Sequence, residues 1–250
     1  MKHQPARGPQ ARYTRQLATL LAQRGLELRE AVEQLAPLWA GDMEQLAAAL
    51  YRLQLAAPLL VDRAGLEQLA LATQEQAVKQ ARDLLTAPPR ASRMDAKRFT
   101  STRQLTLWEE DPALQEAARL WAEDNARLVE GLDAFTRQRV FNAVRDAGTG
   151  ASQRELTALL IEQLRVSRRR AELIARDQVG KLAADTARCQ MESAGVTHYI
   201  WRSVDDERTR PAHRARDGKI FEWALPPKGG HPGDAPLCRC YAEPVLDDSF

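Results

Sequence analysis

"HPGDAPLCRCYAEP", residues 231–244, breaks with the chain around it. Most of the sequence is rich in Ala, Leu, Arg and Glu and reads as helix. Here Pro and Gly cluster, and two cysteines, Cys238 and Cys240, stand one residue apart. Such a pair is a disulfide remnant, a metal clip, a catalytic pair or a packing detail. A C-x-C separation fits poorly to an unstrained mutual disulfide. The N-terminal "MKHQPARGPQ" lacks the apolar core of a signal peptide, and no apolar run approaches a membrane span. The chain is therefore expected in a reducing, cytoplasm-like compartment, where three cysteines make no disulfide framework. A metal clip and plain packing remain.

His213, His231, Cys238 and Cys240 gather within 28 residues. Three of the four His and two of the three Cys follow residue 197. Zinc takes four such nitrogen and sulfur ligands tetrahedrally. The spacing is not C-x-x-C, so the residues alone leave zinc and packing both open. The segment after Gly195 also changes grammar. "THYIWRSV" reads as a strand with Tyr199 and Trp201 on one side of the pleat, "DGKIFEW" as a turn feeding a strand, and "CRCYAEPV" as a last short strand. Asp217-Gly218 is a tight turn with positive φ. This unit is apolar-poor for its loop content, and domains that small usually need a staple.

Upstream, the chain reads as helices. "TRQLATLLAQRG" is expected to end at Gly25 as a C-cap, and Asp42 to cap "DMEQLAAALYRLQLAA". "GLEQLALATQEQAVKQARDLLTAPP" is amphipathic and closed by Pro88 and Pro89. Asp111 caps a helix entered through Pro112, in which Leu114, Trp121, Leu128 and Phe135 recur every seven residues, with Ala118 and Leu132 on the same stripe. That stripe is expected to serve an intrachain bundle, or else a partner helix. "DAGTGAS" is a loop, and Ser152 with Glu155 matches a capping box. Ser167 is expected to open a helix over 168–193 that holds a buried, inert Cys189.

Net charge is only +2, but its distribution is uneven. Residues 90–103 carry five bases against one acid, whereas residues 105–135 carry eight acids against two bases. Residues 1–10 read as a basic disordered tail and 88–104 as a basic connector between the helices of 11–145. Arg90, Arg93, Lys97 and Arg98 are candidates for phosphate contact, as are Arg168, Arg169 and Arg170. The last three, placed at a helix N-terminus, would sit against the helix dipole, which favours an acidic partner there. The bland reading of these runs is a solvated surface.

The C-terminal residues also resemble a family. "HYIWRSVDDERTRPAHRARDGKIF" followed by "HPGDAPLCRCYAEPV" resembles the phage Mu F-like head morphogenesis family: a Trp-bearing strand, D-x-x-T/C-x-x-x-H/C, a D-G turn, then Pro and C-R-C. "SRRRAELIARDQVGKLAADTARCQMESAGV" resembles its preceding helix. The resemblance covers roughly residues 150–246, so 146–250 is read as the family domain. Many relatives carry R-T-E where this chain has Arg176, Asp177 and Gln178, and some carry a cysteine where it has Arg210. The resemblance implies a structural, non-enzymatic minor head protein. Such proteins associate with the portal, with scaffold or major capsid protein as further partners, in several copies per virion. Some contact double-stranded DNA during packaging or ejection. It also implies residence in the host cytoplasm during assembly and no membrane step.

The expected fold is α+β: a mainly helical N-terminal and central region and a small β-rich C-terminal unit that zinc would staple. The rival from another class is a metal-dependent nuclease or toxin-like enzyme using His213, His231 and Asp206, which needs an open coordination position for water. The bland reading of Asp205 to Arg210 is a self-satisfying turn, with Asp206 capping a short helix entered through Pro211. Trp201 and Trp223 are read as core of the small β unit rather than as stacking platforms for bases.

Overall fold

A computed structural model describes residues 7–35, 51, 60–86, 111–147 and 152–245. They form α1 (Arg7–Leu35), α2 (Arg63–Thr86), α3 (Pro112–Ala147), α4 (Gln153–Ser193), β1 (His198–Arg202), α5 (Pro211–Arg214), β2 (Ile220–Glu222) and β3 (Tyr241–Pro244). The fold is mostly helical, with a three-stranded antiparallel sheet near the C-terminus. Among the described residues no helix is long and apolar enough to cross a membrane. The Asp42 cap and the basic connector at 88–104 lie outside the described residues. Helix α1 begins at Arg7, inside the stretch read as a disordered tail.

The chain divides into two compact units, one of Ala11–Leu66 and Ala122–Ala175, the other of Met1–Gln10, Glu67–Trp121 and Arg176–Phe250.

The first unit is helical. Its apolar core is Leu28 and Val32 of α1, Val140 and Val144 of α3, and Leu156 and Leu160 of α4. Polar pairs cross the same interior. Tyr13 Oη donates to Asn125 Oδ1 at 3.0 Å, Arg24 Nε to Asp133 Oδ1 at 2.7 Å, and Thr136 Oγ1 to Ser167 Oγ at 2.9 Å. Gly25 does not end its helix. A Cβ there would meet Leu164 Cδ1 at 3.0 Å, so the glycine serves a close helix approach instead of a C-cap. Ser167 opens no helix either: α4 runs unbroken from Gln153, and the buried Ser167 hydroxyl donates back to Gln163 O at 3.1 Å. The capping box is formed. Ser152 N donates to Glu155 Oε2 at 2.7 Å and Glu155 N to Ser152 Oγ at 3.3 Å.

The face that α3 buries is Leu114, Ala118, Ala122, Ala126, Val129, Leu132, Thr136, Val140 and Val144, while Leu128 is exposed. A straight helix turns every 3.6 residues, so strict seven-residue spacing drifts about 20° per heptad and leaves the buried face. Of the stripe, Leu114, Ala118 and Leu132 are buried within the chain, Trp121 and Phe135 are half-buried, and Leu128 is not taken up.

In the second unit Asp111 caps α3 by accepting from Ala113 N at 2.9 Å. Ala70, Ala118 and Leu182 pack together, Gln74 Nε2 donates to Leu114 O at 2.9 Å, and Trp121 Nε1 donates to Gln178 O at 3.3 Å. Helix α4 closes with a Schellman arrangement. Gly195 has φ of 82°, Val196 N donates to Met191 O at 2.9 Å, and Gly195 N donates to Glu192 O at 2.9 Å. Met191 and Val196 then join the core under the sheet, with Tyr199, Trp201, Trp223 and Cys240. Strand order is β2-β1-β3, with Tyr199 opposite Phe221 and Trp201 opposite Ala242. Pro244 sits on an edge strand, where its missing N–H is tolerated. Tyr199 and Trp201 share one pleat face and are fully buried, as their spacing required.

The Asp133 carboxylate, 1% exposed, accepts from both Arg24 and Arg137. Removing it strips an interior acceptor from two guanidinium groups, and Asp133→Ala should cost about 3–5 kcal/mol in denaturant unfolding. Arg24→Met, which leaves Asp133 with Arg137, should cost clearly less. Equal losses would show that the shared acceptor is not what the interior depends on.

Candidate metal centre

Strand β1 positions the site. Trp201 closes the base of the β1–β2 connection with both backbone groups: its N–H donates to Lys219 O at 2.9 Å and its carbonyl accepts from Gly218 N at 2.8 Å. Between these ends the chain makes the 205–210 turn and the single turn of α5. That turn sets the buried His213 ring edge-on to Trp201, with centroids 5.2 Å apart at 81°. The segment before β3 then returns with its two sulfurs. His213 Nδ1 lies 3.5 Å from Cys238 Sγ and 3.4 Å from Cys240 Sγ. Among the described residues these three form the group whose donor atoms all lie within 4.8 Å of one another and could hold a metal ion.

The returning segment is held from several sides. Leu237, just before Cys238, has φ of 56°, a left-handed conformation that costs free energy for a branched side chain. Its N–H is fixed by Asp177 Oδ1 of α4 at 2.6 Å. Arg239, between the two cysteines, forks onto Asp206 with Nη1–Oδ2 at 2.6 Å and Nη2–Oδ1 at 2.5 Å. Arg210 Nη2 donates to Pro236 O at 2.6 Å. The Arg239 guanidinium, helped by the Arg208 N–H, pulls the Asp206 carboxyl down to about 2.

The sulfurs are unequal. A hydrogen bond from Cys240, with the Gly233 and Cys240 backbone N–H groups behind it, pushes Cys238 down to about 5 against the opposing effect of burial. Cys240 is pushed up by that neighbour and by burial. One proton therefore leaves the pair readily and the second is held.

This donor arrangement sits near the end of a stretch, residues 137–243, that matches the family model described as phage Mu protein F like protein. The match covers less than half of the chain and likens that stretch to the phage Mu protein F-like family. The chain is also 35% identical over 140 residues to an uncharacterized protein of Haemophilus influenzae, an alignment taking 55% of this chain and 31% of that protein. The chain thus spans about a third of the length of the curated relative it matches. No solved structure matches it.

Within the Mu F-like stretch, His231 stands apart from the other three sequence candidates. Its Nδ1 is 2.8 Å from Tyr199 Oη, its ring packs against Trp223, and it is buried. Burial first, then the Arg188 charge, pushes its pKa down. Asp206 caps no helix: the cap position of α5 is Arg210, without a side-chain cap, and Asp206 instead accepts from Arg208 N at 3.0 Å and holds Arg239. Trp201 and Trp223 are core, as read. Arg168, Arg169 and Arg170 lie in the interior of α4, far from its start, so the helix-dipole argument for an anion there falls. Arg168 pairs with Glu172 at 3.6 Å, and Arg170 lies 4.3 Å over the Phe135 ring. Arg90, Arg93, Lys97 and Arg98 lie outside the described residues. Cys189 is exposed, because α4 buries Leu182, Thr186 and Gln190 at four-residue steps and position 189 falls beside that row.

Two positioning residues escaped the sequence reading. Asp177 figured only as a departure from the R-T-E of relatives, and Arg239 only as the middle of C-R-C. Both carried a signal, a lone charge flanked by site residues or by a helix facing them, but no spacing rule names their partners.

Gly233 joins the loop to α4. It has φ of 105°, and a Cβ there would lie 2.2 Å from Ala184 Cβ. Gly218 has φ of 76° with open space around it. Gly218→Ala should therefore cost only the backbone strain, on the order of 1–3 kcal/mol. Gly233→Ala should cost clearly more in thermal or urea unfolding, since the loop must also move off the helix. A smaller loss at 233 than at 218 would refute the close packing.

Proposed function

We propose that this chain is a structural minor head protein of a tailed phage, acting in head morphogenesis as a bound subunit at the portal vertex. The observation that carries the reading is the family match of residues 137–243, a stretch that runs from within α3 through β3 and includes the His213, Cys238 and Cys240 arrangement. The partners proposed are the portal protein first, with scaffold or major capsid protein beside it, in several copies. The place of action is the host cytoplasm during assembly and the virion afterwards. Contact with double-stranded DNA through the 90–98 segment is part of the proposal, supported by the charge segregation alone.

The non-enzymatic reading is favoured over a hydrolytic one by how the nuclease candidates are engaged. Asp206 is forked by Arg239 and His231 is held by Tyr199. A general base must reach a water or a substrate proton; Asp206 is engaged by a guanidinium, one ring nitrogen of His231 by a phenol, and His213 faces the two cysteine sulfurs.

The test is co-expression of the full chain with the portal protein of the same genome, followed by sedimentation of portal rings and procapsids. The chain should travel with the rings at a fixed ratio. Its absence from rings and procapsids alike would remove the head-protein assignment. In the same preparations, duplex DNA should bind without sequence preference and weaken steeply with salt. Neutralising Arg90, Arg93, Lys97 and Arg98 together should lower that affinity; no change would remove the DNA contact.

A further inference from the structure

We propose that His213, Cys238 and Cys240 bind one Zn²⁺ that staples the sheet-bearing unit, with a water as fourth ligand beside them. The inference goes beyond the head-protein reading and does not depend on it.

The donor distances fit zinc. With Zn–S of about 2.3 Å and Zn–N of about 2.0–2.1 Å, tetrahedral coordination separates a nitrogen from a sulfur donor by about 3.5–3.6 Å. His213 Nδ1 stands 3.5 and 3.4 Å from the two sulfurs. Two sulfurs thus approach one nitrogen at that separation, and a cation among the three engages all of them at once.

The donors are placed by contacts that owe nothing to one another. Trp201 orients the imidazole, Asp177 holds the strained residue before Cys238, and Asp206 holds Arg239 between the cysteines. Two thiolates and an imidazole select zinc over Mg²⁺ or Ca²⁺, which take oxygen. Borderline donors brought together behind a sheet of three short strands are the arrangement that small metal-stapled units use.

The remaining position faces a pocket of about 20 Å³, partly open to the surface, lined by Thr209, Arg210, His213, Cys238 and Cys240, with Arg208 and Arg239 among its other walls. A water needs roughly 10–15 Å³ of such space, so one water has room beside the three donors. Thr209 Oγ1 is taken by Asp206, donating to Oδ1 at 3.3 Å and accepting from its N–H at 3.2 Å, and is therefore not the fourth ligand. His231 is held at Tyr199. A three-residue set with a water leaves one exchangeable position; a stapling role is favoured by the few apolar residues of the unit that the three donors tie together.

The test uses the untagged full chain, loaded with Zn²⁺ and dialysed. Elemental analysis should find about one zinc per chain. X-ray absorption at the zinc edge should show two sulfur neighbours and two light-atom neighbours, only one of them an imidazole. Cys240→Ser should lower bound zinc at least about tenfold, and His231→Gln should leave the stoichiometry unchanged. Because either variant can disturb folding, the wild-type chain carries its own control: stripping with a strong chelator should lower its melting temperature, and zinc should restore it. Zinc below about a tenth per chain together with a chelator-insensitive melt overturns the site. Two imidazoles in the absorption spectrum overturn the ligand set. Loss of zinc from a folded His231→Gln does the same.

Discussion

Trp201 is the residue on which the sheet-bearing unit depends. It lies in β1, the central strand that pairs with both neighbours, and it is fully buried. Its backbone groups close the base of the β1–β2 connection, and its indole meets His213 and Phe221 edge-on and lies under the Arg216 guanidinium. Burying an aromatic of this size is worth several kcal/mol; Phe or Trp to Ala in a core costs about 3–5 kcal/mol. The rest of the site follows from it. His213 is where it is because the one-turn helix lays its ring against Trp201. Cys240 is buried because it packs into the same cluster. A unit with strands of five, three and four residues has little other apolar surface to organise it.

The helical unit solves a different problem. Long Ala- and Leu-rich helices slide past one another at little cost, since each turn looks like the next. Three polar pairs at different levels of α3 remove that freedom: Tyr13 with Asn125, Arg24 with Asp133, and Thr136 with Ser167. A shift by one turn would part all three pairs; Thr136 and Ser167 keep the carbonyls of their own helices, but Tyr13 and Asn125 would be orphaned at about 1–3 kcal/mol per group, and the ion pair at more. Gly25 adds a steric register by admitting Leu164.

The parts legible in the sequence were those set by neighbours in the chain. The Ser152 and Glu155 box, the Asp111 cap, the stop at Gly195 and the alternation of Tyr199 with Trp201 all depend on residues within a few positions of one another. Three of the four proposed metal donors do come together, but proximity in sequence could not tell that His231 faces Tyr199, because that choice is made by a loop packing 32 residues away. Gly25, Ser167 and Cys189 failed for one shared reason. A glycine reads as a stop, a serine as a cap and a helical cysteine as core only when no neighbouring helix says otherwise. Here Leu164 explains the glycine, Thr136 holds the serine, and the face that α4 buries passes the cysteine by. Leu128 shows the limit of a heptad count on a helix that does not supercoil.

The central claim is that Cys238 and Cys240 share one cluster with His213, whereas Cys189 lies outside it. The most direct measurement is the rate at which each thiol of the native chain is alkylated, read by peptide mass spectrometry as time passes. The account predicts that a chelator raises the labelling rates of Cys238 and Cys240 together and leaves that of Cys189, whose thiol is pushed up by burial and by Glu192 and Asp185, unchanged. A chelator effect on one of Cys238 and Cys240 without the other, or an equal effect on Cys189, would contradict it.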